Sequence, residues 1–304
     1  MSGRITTHEA ERAIPAPPIR RRRRRQSLTP YLLLAPAGLF LLIFFAWPMV
    51  QALLLSVQDS AGNFTSAYLQ RMANDINFRP AIRNTLLLIV VLVPLQLTLA
   101  LIMALLLNAG LRGTGFFLYA WAIPLAISDL AAGIVWLAIF TDRGYLNSLL
   151  VNLGLEPYRF LSYEHPVSIF IAVVIAETWR ATSIVMVILV AGLQVIPKEY
   201  SEAAEVFGAT GWQRLRHVTL PLLRPSLQVA LILRTILAFQ VFAVVIALAG
   251  RNMPVLASEA YNWYRAFTNA NVASAYALLI LVFSIINTVV YLRALRIRDE
   301  QVGV

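Results

Sequence analysis

From Tyr31 to Val57 the chain runs for 27 residues without a charged side chain. A helix rises 1.5 Å per residue, so about 20 apolar residues span about 30 Å of hydrocarbon. Six segments meet that length: Tyr31–Val57, Thr85–Leu107, Gly115–Phe140, Val167–Leu193, Pro225–Ala249 and Val272–Leu292. Backbone groups in lipid must bond internally, and these runs lack the apolar–polar alternation of a barrel strand, so they are expected to be helices. Composition agrees: 59% of the residues are hydrophobic and 13% charged, whereas soluble domains sit near about 45–50% and about 25%. The expected fold class is an all-α integral membrane protein with six transmembrane helices.

The net charge of +10 does not point to nucleic acid, because of where it lies. Arg20 to Arg25 form one block directly before the first apolar run, which is a topology signal. That run is too long for a cleaved signal core and reads as a retained anchor. With the N-terminus in the cytoplasm, the inner segments hold sixteen Lys and Arg and the outer segments seven. Both termini are therefore expected inside. Residues 1–29 read as a disordered basic tail, 30–295 as the membrane domain and 296–304 as a short tail. The outer loops carry Tyr68, Tyr145, Tyr158, Tyr163, Tyr261, Trp263 and Tyr264, which suits an interfacial belt.

The segment EAAEVFGATGWQRLRHVTLPLLRP, residues 202–225, interrupts this pattern. It falls in the longest inner loop, 194–224. Lys198 to Phe207 are helix formers, Gly208 tolerates the positive φ that ends a helix, and Thr210 is a suitable N-cap for a second one. Leu220-Pro221 and Pro225 are expected to break the chain and begin the fifth span. Ala203, Ala204, Val206 and Phe207 put small and apolar side chains on a helix outside the membrane, the mark of docking to a soluble partner.

Glu202-Ala203-Ala204, three residues, Gly208, nine residues, Val218, one residue and Leu220-Pro221 together resemble the EAA signature of permease subunits of binding-protein-dependent ABC importers. Further positions resemble the carbohydrate-uptake branch, with maltose and glycerol-3-phosphate permeases among its members. They are Asn84-Thr85, Leu107-Asn108, Ile123-Pro124, Ser128, Trp136, Phe140, Gly144, Asn147, Glu177, Trp179, Arg180, Ala191 to Gln194 and Ile196-Pro197. The resemblance covers roughly residues 30–295. The chain departs from the pattern at Phe207, at Val218 and at Ala249 to Pro254; the last removes any assignment of cargo by analogy.

The resemblance implies a type I importer permease fold with a cytoplasmic coupling helix in the 199–221 loop, in a bacterial inner membrane. It assigns ATPase coupling to Glu202, Ala203, Ala204, Phe207, Gly208, Leu220 and Pro221. It also implies a second homologous permease subunit, an ABC ATPase dimer that binds ATP and Mg, and an extracytoplasmic solute-binding protein. The expected cargo is a carbohydrate, with an anionic solute such as glycerol 3-phosphate as the alternative; an ATP-independent secondary transporter is the reading from a different class. A membrane-embedded enzyme would need clustered carboxylates or metal ligands. His8, His165 and His217 are scattered, cysteine is absent, and the sole lysine, Lys198, follows proline rather than completing a phosphate loop. Catalytic, metal and cofactor sites are therefore not expected in this chain.

Ionisable residues inside a span mark functional sites by default. Glu177 and Arg180 fall within the fourth span and Arg234 within the fifth, at similar depth. One reading is a structural pair between Glu177 and Arg180, which face each other at i,i+3 and leave Arg234 uncompensated. The other is a hydrated substrate cavity lined by Glu177, Trp179, Arg180, Arg234 and Gln240. Asp129 reads as interfacial, and Pro94 with Gln96 as a kink that lines a cavity.

Overall fold

The computed structural model describes residues 29–59 and 61–294; the expected terminal tails lie almost wholly outside them. The elements in chain order are α1 (Thr29–Leu41), α2 (Trp47–Val57), α3 (Ala67–Ala73), α4 (Phe78–Asn108), α5 (Thr114–Ala122), α6 (Asp129–Phe140), α7 (Tyr145–Asn152), α8 (Pro166–Val195), α9 (Lys198–Val206), α10 (Gly211–Arg214), α11 (Leu220–Phe239), α12 (Ala243–Ala249), α13 (Leu256–Arg265) and α14 (Ala270–Ala294). Among the described residues, six helical segments are long and apolar enough to cross a membrane. They are Leu32–Val57, Phe78–Asn108, Asp129–Asn152, Pro166–Val195, Gly211–Phe239 and Ala270–Ala294, with Thr114–Ala126 as a shorter apolar helix.

The chain divides into two units, one ending at Met49 and one beginning at Val50. In the first, α1 continues through a π-helical turn, Leu42–Ala46, in which the Trp47 N–H donates to Leu42 O, and Pro48 follows at once. The second unit repeats the device. There the π turn Leu215–Thr219 joins α10 to α11, Leu220 N–H donates to Leu215 O, and Pro221 follows. A proline inside a helix has no N–H to give and its ring crowds the carbonyl four residues back. A wide turn just before it relieves both problems without ending the helix. Pro221 and Pro225 therefore do not break the chain, contrary to the sequence expectation. The helix of the fifth span runs from Gly211 to Phe239, so it begins well before Pro225.

Two spans are broken where hydropathy indicates none. Gly115–Phe140, expected as one helix, is α5, a 3-10 turn at Ile123–Ala126 and then α6. Pro124 sits in the turn, Ile127 and Ser128 are extended, and the Ser128 hydroxyl accepts the Ala131 N–H at 3.2 Å to start α6. Pro225–Ala249, also expected as one helix, stops at Phe239; the backbone turns at Gln240 to Phe242 and resumes as α12. The two second halves, α6 and α12, pack on each other. Gly133 makes this possible: a Cβ there would lie 2.6 Å from Ala247 Cβ and 3.2 Å from the Val244 Cα.

The centre of the second unit is the pairing of α4 with α8, onto which α11 packs. Small buried residues, Ala100 and Ala104 on α4 and Ala172, Ala176 and Ser183 on α8, let the backbones approach as membrane helices require. One apolar cluster gathers Leu88, Leu92, Ile169, Val173, Val244 and Leu248 near the starts of α4 and α8. Another gathers Ala100, Ala104, Val185, Met186, Leu189 and Leu223 nearer their ends. Around α3 and α13 a third cluster forms on Met72, Leu256, Val272 and Tyr276. Asp75 ties it together, accepting from Trp263 Nε1 at 2.6 Å and from the Tyr276 hydroxyl at 3.0 Å.

Candidate functional site: an ion network and a helical corner

Between the first two apolar clusters lies one polar layer. Gln96 follows Leu92 by one turn of α4, and Glu177 follows Val173 by one turn of α8. Glu177 is 1% exposed and Arg234, from α11, is 2% exposed. Glu177 Oε1 receives Arg180 Nη2 at 2.8 Å and Arg234 Nη2 at 3.5 Å, while its Oε2 receives Arg180 Nε at 3.2 Å. Gln96 Nε2 donates to the Glu177 carbonyl at 2.9 Å, and Gln96 Oε1 accepts from Arg234 Nε. Arg180 Nη1 then reaches Asp129 Oδ1 at 2.7 Å. Two carboxylates and two guanidiniums from α6, α8 and α11 thus neutralise one another, and an amide from α4 locks the pair that is fully buried.

Four expectations change. Arg234 is not left uncompensated; Glu177 and Gln96 hold it, with Nη1 alone lacking a partner. Asp129 is not merely interfacial, for it begins α6 and pairs with Arg180. Gln96, expected to line a cavity, is fully buried and spent on Glu177 and Arg234. Nor do the five residues expected to line one cavity come together. Trp179 packs edge-on against Trp136 and borders a pocket of about 200 Å³ with Trp121, Thr178, Thr182 and Ser183. Gln240 lies in a cleft of about 490 Å³ between α11 and α14, with Ser284 and Thr288. Only Arg180, among the charges, joins the buried pair to a surface: its side chain is 19% exposed and that of Asp129 is 55%.

Sequence reasoning passed over Ser128-Asp129 as a helix start, although a Ser followed by an acid in the first turn is the usual signal for one. Other residues from the sequence pattern hold loops. Asn147 donates to Tyr158 O at 2.9 Å and accepts the Tyr158 N–H at 2.8 Å, clamping the loop before α8. Asn84 donates to Pro254 O at 2.9 Å, and the Thr85 hydroxyl accepts the Leu256 N–H at 3.0 Å.

At the other end of the bundle, α9 and α10 form a tight corner. Gly208 has φ +80°. Its N–H donates to Glu205 O at 2.9 Å and the Ala209 N–H donates to Ala204 O at 3.0 Å, the paired bonds of a Schellman C-cap. Two residues on, Thr210 and Gln213 form a capping box: Gln213 Oε1 accepts the Thr210 N–H at 2.7 Å and Thr210 Oγ1 accepts the Gln213 N–H at 3.4 Å. Arg214 Nη1 to Glu205 Oε2 at 2.7 Å braces the two helices. Held this way, Glu202 and Ala203 are exposed, Phe207 is 90% exposed and Ala204 is half-buried, while Leu220 and Pro221 lie half-buried at the base of α11.

The trehalose/maltose transport system permease protein MalF of Thermococcus litoralis is 36% identical over 213 residues, 68% of this chain and 71% of that protein. The sn-glycerol-3-phosphate transport system permease protein UgpA of Agrobacterium fabrum is 32% identical over 85% of this chain and 91% of its own length. The fold matches a chain of a bacterial ABC transporter involved in the import of the acidic polysaccharide alginate. There the TM-score is 0.74 at 21% identity, over 88% of this chain and 95% of that one. Residues 72–296 match the family model described as "Binding-protein-dependent transport system inner membrane component", and the chain belongs to that family.

Proposed function

We propose that this chain is a membrane-spanning subunit of an ATP-driven importer, carrying a neutral carbohydrate by alternating access. Its partners in this reading are a second permease, an ATPase dimer that binds ATP and Mg, and an extracytoplasmic solute-binding protein. Both termini and the α9–α10 corner lie on the cytoplasmic side. The observation that carries the coupling role is the corner itself. Phe207 stands exposed on a helix end fixed by a Schellman cap, a capping box and the Glu205–Arg214 bridge. A rigid apolar knob outside the membrane gains by entering a partner's groove. Glu202, Ala203, Ala204 and Phe207 make the contact, and Gly208 with Leu220-Pro221 sets the angle between corner and span.

Relatives include permeases named for trehalose, maltose and glycerol 3-phosphate, so family membership leaves the cargo's charge open. The ion network favours a neutral one. An anion needs an uncommitted cation, whereas Arg234 is sealed on Glu177 and Gln96, and Arg180 is matched by Glu177 and Asp129. Exposed Trp179, at the edge of the pocket it shares with Trp121, offers an aromatic face, which suits a sugar ring.

In cells carrying the intact importer, Gly208→Asp and Glu202→Lys should each abolish solute uptake while the chain still inserts in the membrane. Each should also weaken co-purification of the ATPase subunit. Unaltered uptake in both variants would sink the coupling role.

A further inference from the structure

The two guanidiniums of the network differ in one respect. Arg234 is closed off from every surface, but Arg180 ends where the third span breaks, and there it meets Asp129 at 2.7 Å. Asp129 is the first residue of the 12-residue α6, directly after the Ser128 cap. A helix N-terminus carries partial positive charge, so Arg180 and the start of α6 converge on one place with the same sign. Such a pairing binds anions. Here the chain's own carboxylate fills it.

We infer that Asp129 determines charge specificity: its carboxylate neutralises Arg180 and denies anionic solutes the one guanidinium of the network within their reach. The inference rests on the reading above and adds to it that the partly exposed pair of Arg180 and Asp129, one residue along α8 from Trp179, borders the solute pathway. Glu177 cannot replace Asp129 in this role, since it is buried and already shared between Arg180 and Arg234. Nor can Gln96, which is neutral and faces Arg234. Removing the Asp129 charge leaves Arg180 with half of Glu177 and an open side toward solvent. In that state a phosphate or carboxylate group replaces Asp129 at the same guanidinium nitrogen.

The test measures equilibrium binding of inorganic phosphate to the full chain in lipid nanodiscs. The unmodified chain should show no saturable binding in the millimolar range. Asp129→Asn, close in shape, should show saturable phosphate binding in the millimolar range, at least about tenfold tighter than the unmodified chain's upper bound, because a like charge about 4 Å away has been lifted. Asp129→Asn combined with Arg180→Gln should lose that binding again. Asp129→Ser provides a second neutral variant, and both are compared with the unmodified chain for monodisperse elution. Saturable phosphate binding by the unmodified chain overturns the inference. So does a folded neutral variant that binds none, or binding that persists once Arg180 is replaced. Uptake is not read in this experiment, so failure of the transport assignment and failure of the Asp129 role are separately visible.

Discussion

Replacing Glu177 by glutamine keeps the shape of the side chain and removes the charge on which the buried layer turns. Arg234, 2% exposed, would then hold only the Gln96 oxygen and the amide oxygen at position 177. Arg180 would keep Asp129. Breaking a buried pair from one side costs about 3–5 kcal/mol, because the remaining ion stays desolvated. The surviving amide bonds to the guanidinium place Glu177→Gln near the lower end, about 3 kcal/mol. The measurement is thermal unfolding of the purified chain in detergent, followed by loss of monodisperse protein. Adding Arg234→Met should return much of the loss, since an apolar residue of similar length has no charge to desolvate. A Glu177→Gln variant that melts with the unmodified chain would refute the buried-pair account. So would a double variant no more stable than Glu177→Gln alone.

Two further perturbations probe the supports of the site. Gly133→Val puts a branched side chain where a Cβ would already lie 2.6 Å from Ala247 Cβ. It should destabilise the chain by about 1–3 kcal/mol, and Ala247→Gly should restore part of the melting temperature. Burial holds the Glu259 carboxyl above its ordinary range, against hydrogen bonds from Asn262 and Asn77, and nearby Asp75 adds to the rise while Arg251 opposes it. A raised folded-state value means the folded chain holds the proton more tightly, so the stabilisation is complete below about pH 4 and is lost as pH rises through the raised value. Glu259→Gln, which stays neutral, should therefore melt higher than the unmodified chain near about pH 8 and converge with it near about pH 4.

The number of spans was legible because hydrocarbon thickness sets a length that apolar runs must meet. Breaks were not, because hydropathy counts apolar residues and is blind to backbone direction. Ile127 is as apolar as its neighbours, and the single polar Gln240 does not interrupt an apolar run, yet both lie where a span turns. The prolines misled in the other direction, since a π turn before Pro221 absorbs what would otherwise end the helix. At the corner, Gly208 and Thr210 were readable because capping is local chemistry, settled within five residues. Arg234's partners were not, for they lie 57 and 138 residues away along the chain. The i,i+3 pair of Glu177 and Arg180 could be read from one helix; the third and fourth charges required knowing how α6, α8 and α11 meet.

Helix continuity through Pro221 has a mechanical consequence for the proposed coupling. Gly211, at the α9–α10 corner, and Arg234, in the ion layer, lie on one uninterrupted helical rod, with a rise of about 35 Å at 1.5 Å per residue. Had the chain broken at Pro221 and Pro225, as their residue types imply, a push on Phe207 would have been taken up in a loose joint. Instead the corner is braced to the rod by Glu205–Arg214, and the rod ends just past the layer, at the turn from Gln240 to Phe242. In the proposed coupling, movement of the corner would pass along the packing of Leu223 and Ala230 to the bonds from Arg234 to Gln96 and Glu177. Beyond them it would reach Arg180 and Asp129 at the other broken span. Substituting Arg234 alone would separate these roles: with the corner untouched, ATPase docking should persist while transport fails. Normal transport by Arg234→Ala, measured beside intact ATPase co-purification, would make the layer a packing feature and leave the rod's coupling to be sought at α12.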